Sequence, residues 1–158
     1  MVARRDSHRH HPLTARYTLA QMHPEPPVLD MFEASLTRCE RNPEFFERFY
    51  RTFLASSPEV RKKFADTDFV RQQAALRESL RKMMSAARDR NGDPARHLIH
   101  LAERHSSRDL RIGAALYDNW LDSLLTTVRE SDPEYSEEIG NAWERVMMVG
   151  IRYLLLHY

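Results

Sequence analysis

The sequence predicts an all-α domain. From Val28 onward, apolar residues recur at intervals of three and four, which is the spacing of one face of an α-helix. Glycine is scarce, with 4 in 158 residues, and no alternation of strand and helix patterns is present. At four places a residue that caps helices stands directly before a proline, which favours the first helical position. Each pair is expected to mark a helix start: Asn42-Pro43, Ser57-Pro58, Asp93-Pro94 and Asp132-Pro133.

These signals predict seven segments in a fixed order: six helices, and a short turn over 58–64. In the helix over 68–88, apolar residues from Phe69 to Met84 form one stripe, and in the last helix a similar stripe extends from Ile139 to Tyr158. Each of these two helices is therefore expected to bury one face, and the last two helices are expected to pack antiparallel to each other. The predicted ranges are 28–41, 43–56, 58–64, 68–88, 94–106, 108–130 and 133–157.

Composition limits the classes of function. Lys and Arg number 24 against 23 Asp and Glu, a formal net charge of +1, which does not favour binding to a phosphate backbone. No apolar run approaches the roughly 20 residues of a membrane span. The single cysteine, Cys39, excludes an internal disulfide, and no signal-peptide pattern is present. We expect one soluble cytoplasmic domain that binds no nucleic acid.

Residues 1–27 differ from the remainder of the chain. They contain four of the eight histidines and a proline cluster that would stop a helix. We expect an N-terminal extension that is disordered. The group His8, His10 and His11 could bind a transition metal, but it lacks carboxylate or cysteine partners at fixed spacing, so a solvated tail is the favoured interpretation.

Three polar side chains occur on otherwise apolar helix faces. His105 shares a face with Leu98 and Leu101, so it is either a metal ligand or a half-exposed histidine at a helix end. Tyr50 lies in a segment rich in aromatic rings, where it is either a core residue or the wall of a cavity. Gln72 comes one helical turn before Leu76 and either projects near the apolar stripe or lies at the surface.

The order of these motifs resembles bacterial single-domain globins and the globin domain of flavohaemoglobins. The resemblance covers residues 28–158, which are therefore expected to form a globin domain. Taken singly, the matching pieces have little specificity, but their joint order and spacing are typical of the family. They are the segment 49–54, Ser57-Pro58-Glu59-Val60-Arg61, the segment 72–76, Leu101-Ala102-Glu103-Arg104-His105, Tyr117 and Ala142-Trp143.

The resemblance implies a globin fold with helices packed around a haem pocket and haem b as cofactor. It implies His105 as the proximal iron ligand, with His97 and His100 as alternatives in the same helix. On the distal side, Tyr50 and Gln72 match the pair that hydrogen-bonds bound oxygen. Gln73 is the alternative to Gln72. Two apolar residues complete this side: Phe64 matches the ring that stacks on haem, and Leu76 matches the residue above the iron.

On the proximal side, the resemblance places Leu101 and Arg104 next to the haem, with Arg104 as a partner for a propionate or a solvated side chain. Tyr117 matches a tyrosine that joins a glutamate in a network with the proximal histidine. Tyr158 takes the place of that glutamate. A weaker carboxylate pull on the histidine disfavours peroxidase-like activation of the iron.

Three functions are compatible with this sequence. The first is reversible binding of dioxygen, or of another diatomic gas such as nitric oxide or carbon monoxide, at a five-coordinate ferrous iron, as carrier, store or scavenger. The second is a nitric oxide dioxygenase that relies on a separate reductase, because we expect no flavin and nicotinamide domains here. The third is a haem-free globin-like module for signalling or interaction.

Overall fold

The computed structural model of the protein describes residues 23–105 and 113–156, without the side chains of residues 104 and 105. Within these ranges the backbone forms seven α-helices and no strand. An all-α fold is thereby confirmed. The helices are α1 (Pro26–Glu40), α2 (Phe45–Ser56), α3 (Pro58–Lys63), α4 (Phe69–Arg88), α5 (Ala95–His105), α6 (Ala114–Ser131) and α7 (Glu137–Leu156).

The long helices pack in two main pairs. Helix α2 packs against α6, and α4 packs against α7. Helix α1 covers α7, while α5 contacts both α4 and α7. The short helix α3 contacts α2 and leads into α4. This arrangement buries the stripes predicted for α4 and α7 and brings α2, α4, α5, α6 and α7 around one interior region.

Aromatic rings join α1, α2 and α7 in the core. The Phe32 ring meets Trp143 edge-on, with centroids 4.7 Å apart, and both side chains are fully buried. Phe45 of α2 lies 6.4 Å from the same indole. Trp143 Nε1 donates a hydrogen bond of 2.8 Å to Ser35 Oγ, so the buried indole N–H has an acceptor.

A buried carboxylate fixes the turn between α6 and α7 to α1. Asp132 accepts hydrogen bonds from Ser35 Oγ at 2.6 Å and from Arg38 Nε at 2.7 Å, and its side chain has no exposed surface. Burial by itself raises the pKa of Asp132, but hydrogen bonds from Arg38, Ser35 and the Glu134 N–H outweigh burial and hold that pKa below its ordinary value. Asp132 therefore remains ionised in the core.

One of the four predicted helix starts is confirmed. Ser57 Oγ accepts hydrogen bonds from the N–H groups of Glu59 and Val60 at the start of α3. Helix α4 also begins at a capping residue, because Asp68 accepts from the N–H groups of Val70 and Arg71.

The other three predicted starts are wrong by one to four residues. Asn42, Asp93 and Asp132 each accept a hydrogen bond from the N–H two residues further on, which forms a turn before the helix. The helices then begin at Phe45, Ala95 and Glu137.

Two further boundaries differ from the prediction. Helix α1 begins at Pro26 instead of Val28, and His23 Nδ1 lies 3.1 Å from the carbonyl oxygen of Ala87. Gly113 has an extended conformation, so α6 begins at Ala114 instead of near residue 108. The remainder of the predicted extension, including His8, His10 and His11, lies outside the described residues, as do residues 106–112.

Two further observations concern membrane spans and the cysteine. Among the residues described here, no helix has the combination of length and apolarity that a bilayer crossing requires. Cys39 of α1 is fully buried, and burial raises the pKa of its thiol to about 12.

Candidate functional site

The interior region between the helices contains a cavity. The space inside it that a water-sized sphere can occupy is about 80 Å³, below the roughly 300–1,000 Å³ typical of sites that enclose a small molecule. Most of the wall is apolar or aromatic, and its polar side chains are few. The lining residues are Tyr50, Phe53, Phe64, Gln72, Ala75, Leu76, Ser79, Met83, Leu101, Leu116, Tyr117, Trp120 and Leu154.

Helix α2 contributes two of the aromatic side chains in the wall. Its rings divide between two faces: Phe45 packs on Trp143 in the core, while Tyr50 and Phe53 line the cavity. Phe53 meets Phe64, which follows α3, with centroids 5.5 Å apart and edge to face. Phe64 also lines the cavity, and its stacking on haem, which the resemblance implies, stays a prediction.

Tyr50 is tied to the first turn of α4. Its hydroxyl donates a hydrogen bond of 3.2 Å to the backbone carbonyl oxygen of Gln72, and its ring lies edge-on to Phe69 at 5.6 Å. Burial raises the pKa of the Tyr50 hydroxyl, so the group is a neutral donor at physiological pH. A hydrogen-bond donor thus lies inside an otherwise largely apolar cavity.

Helix α4 lines the cavity along one face. Gln72, Leu76, Ser79 and Met83 follow one another at helical spacing, and each is part of the wall. Gln73 is described as well and is not part of the wall. The geometry therefore favours Gln72 over Gln73 as the residue that faces a ligand.

Helices α5, α6 and α7 form the opposite wall. Leu101 of α5 and Tyr117 of α6 line the cavity and are buried, and their contact with haem stays a prediction. Several wall residues were not predicted from the sequence, although most of them lie three or four positions from a residue that was. The missed residues are Phe53, Ala75, Ser79, Met83, Leu116, Trp120 and Leu154.

The histidines of α5 have different positions. His97 Nε2 lies 3.0 Å from Asp89 Oδ2, and the His100 side chain is 81% exposed beside Glu103. Neither lines the cavity. His105 is the last residue of α5. The described part of the structure does not include the side chains of Arg104 and His105 or any part of Tyr158.

No preformed cluster for a metal is present in the described part of the chain: nowhere do three His, Cys, Asp or Glu side chains come together as ligands. The cavity wall is mostly aromatic and aliphatic and supplies few polar groups, so it suits a largely apolar ligand.

The profile of the globin family matches residues 47–152. This chain belongs to the globin family. The globin also resembles a crystal structure from Pseudomonas aeruginosa PAO1, described as structurally highly homologous to a human hemoglobin, with 38% sequence identity and a TM-score of 0.76. That match covers 83% of this globin and 98% of the other chain.

A search of curated proteins gave no match. The family profile and the structural match together confirm the resemblance to bacterial single-domain globins and the globin fold. The cavity lined by α2, α4, α5, α6 and α7 thus lies in a fold whose members typically hold haem between their helices.

Proposed function

We propose that this globin binds haem b in the cavity and reversibly binds a diatomic gas there, as a carrier, store or scavenger. One observation supports this most strongly: in a globin fold, Tyr50 and Gln72 come from two different helices to the same side of an otherwise apolar cavity. Bound haem supplies a ferrous iron with an open coordination position for the gas.

The walls of the cavity divide into residues that hold the cofactor and residues that contact the gas. Phe64, Leu76, Leu101 and Tyr117 provide apolar and aromatic contact surface for the macrocycle. We assign the iron ligand to His105 and a propionate contact to Arg104. His97 and His100 are less suited to ligation, because the first faces Asp89 and the second faces solvent.

The distal polar groups bind the gas by hydrogen bonds. The Tyr50 hydroxyl now donates to the Gln72 carbonyl oxygen, so a polar diatomic ligand in the cavity competes with that oxygen for the same proton. The Gln72 side chain supplies a second N–H donor. Both donors act in a site largely shielded from water, where a hydrogen bond is stronger than it is in solution.

The test compares the three histidines of α5. The variants His105→Ala, His97→Ala and His100→Ala are purified, supplied with hemin, reduced and measured by absorption with and without oxygen. We expect His105→Ala to lose haem or the ferrous spectrum of the wild type, while the other two variants keep it.

Three results would contradict the proposal or favour another function. A folded wild-type protein that stays colourless when hemin is supplied would support the haem-free module instead. Retention of the full wild-type spectrum by His105→Ala would remove that residue from the iron. Rapid nitrate formation from nitric oxide, in the presence of oxygen and an added reductase, would show a dioxygenase.

A further inference from the structure

The cavity extends far along α4. Gln72 and Met83 both line it and stand eleven residues apart, which corresponds to about 16 Å along the helix axis. Of the wall residues of α4, Met83 and Ser79 lie furthest along the helix from Gln72, and the part of the cavity that they line is here called the Met83 end. The Met83 side chain is 2% exposed, so its surroundings are protein and cavity.

Met83 lies flat against a glycine of α7. A Cβ atom placed on Gly150 would come within 2.7 Å of Met83 Cγ, 3.0 Å of Cε and 3.1 Å of Sδ. The first of these contacts is shorter than real Cβ atoms show, so any side chain at position 150 forces a displacement. Met83 therefore occupies the space that a Cβ atom at position 150 would fill.

The direction of that displacement follows from the packing. Met83 packs against Gly150 of α7 and also lines the cavity. Methionine is unbranched and has three rotatable side-chain bonds, so it moves into open space more readily than two packed helices separate.

We propose that Gly150 is a positioning residue that sets the depth of the cofactor cavity by letting Met83 lie back against α7. This inference rests on the proposed haem binding for its role, but the steric relationship holds for the apoprotein as well. Any side chain at position 150 would push the thioether into the cavity and shorten it at the Met83 end.

The experiment uses Gly150→Ala, Met83→Ala and the double variant, with Gly113→Ala as the matched control. A Cβ atom added at Gly113 would meet no other heavy atom within 4 Å, so this substitution causes no contact. Two quantities are measured: hemin affinity by absorption titration, and fluorescence of the apolar dye anilinonaphthalene sulfonate on the apoprotein. The dye signal depends on the cavity without needing haem.

We expect Gly150→Ala to weaken hemin binding about tenfold and to lower the dye signal, because the cavity is shorter. The double variant should return both values to those of Met83→Ala, since the displaced side chain is gone. Gly113→Ala should match the wild type in both measurements.

The inference is overturned if Gly150→Ala has the hemin affinity and dye signal of the wild type. It is also overturned if the double variant binds hemin and dye as weakly as Gly150→Ala does. Either result means that Met83 does not enter the cavity. If Gly150→Ala fails to fold, recovery of folding in the double variant supports the inference and continued failure overturns it. A wild type that takes up no hemin refutes the proposed function alone, since the dye measurements still decide the steric question.

Discussion

Among single residues, Tyr50 has the contact that bears most directly on a ligand in the cavity. Its hydroxyl donates to the Gln72 carbonyl oxygen, so a gas bound in the cavity would have to displace that acceptor. The place of Tyr50 in a ring-rich segment left a choice between core residue and cavity wall, and the structure places it in the cavity wall. Its hydrogen bond was not predictable from the sequence, because the bond depends on where the first turn of α4 lies relative to α2.

We expect Tyr50→Phe to release oxygen faster by about fivefold, because one hydrogen bond contributes about 1 kcal/mol. Stopped-flow measurement of oxygen release checks this. Carbon monoxide, which is less polar when bound, should be released at nearly the wild-type rate. Gln72→Leu should also release oxygen faster, whereas Gln73→Leu serves as the control. An unchanged oxygen off-rate in Tyr50→Phe would exclude the distal role.

The buried carboxylate of Asp132 gives a second prediction at this scale. Asp132→Ala leaves Arg38, whose side chain is 18% exposed, without its buried partner. We expect a loss of about 3–5 kcal/mol in the free energy of unfolding, measured with urea. Glu134 is the control, since it also contacts Arg38 at 3.2 Å but is 69% exposed, and Glu134→Ala should cost under about 1 kcal/mol. Equal losses would contradict the prediction.

The same residue predicts a dependence of stability on pH. Because the pKa of Asp132 is lower in the folded state than in the unfolded chain, its contribution is fully present above the unfolded value of about 3.9. It is lost as the pH falls through the folded pKa. Urea midpoints of the wild type should therefore fall more steeply below about pH 4 than those of Asp132→Asn. Parallel curves for the two proteins would contradict this.

At the scale of elements, periodicity predicted the helices and their order, while turn chemistry misplaced their starts. The pairs Asn42-Pro43 and Ser57-Pro58 look alike in sequence. Asn42 accepts from an N–H two residues on and closes a turn, whereas Ser57 accepts from two N–H groups and begins α3. The difference is the path of the following backbone, which tertiary packing decides.

This distinction is measurable as stability. Ser57→Ala removes a helix cap and should lower the free energy of unfolding by about 1 kcal/mol. The neighbouring Ser56 is a matched control, because its hydroxyl donates to the Phe53 carbonyl oxygen at the end of α2 and caps no helix start. Ser56→Ala should change stability by less than about 0.5 kcal/mol. The two variants are compared by urea unfolding, and equal effects would argue against the cap.

The cavity wall shows a related limit of sequence reasoning. On α4, the stripe from Phe69 to Met84 was expected to be core, and the structure divides it: Leu80 is fully buried in the core, whereas Leu76 and Met83 line the cavity. One apolar face thus serves two purposes. Periodicity identifies a buried face but does not indicate whether the neighbour is protein or an open space for a cofactor.

In the molecule as a whole, the globin fold has a closely packed, solid part of the core and a hollow part that contains the cavity. Phe32, Trp143 and Ser35 fill the region where α1 meets α7, and the cavity lies between α4 and the helices opposite it. A ligand that binds only the folded state stabilises it, so haem bound in the cavity, as proposed above, would add to the stability of the fold.

The lone cysteine allows this solid part to be tested. Cys39 is fully buried in α1, and burial raises the pKa of its thiol to about 12, so the folded state holds an unreactive thiol. We expect maleimide labelling of native protein to be slow and to accelerate at urea concentrations near the unfolding midpoint. Asp132→Ala should be labelled faster than the wild type without urea. Rapid labelling of the native wild type would contradict this burial.

The reaction of that sulfur atom therefore reports on transient local opening of the folded protein. Each modified molecule reacted while α1 was parted from its neighbours, so the rate of modification, followed by mass spectrometry, gives the fraction of open molecules when reclosing is faster than labelling. The same rate, measured with and without hemin, would show whether a ligand in the cavity suppresses the separation of α1 from the core.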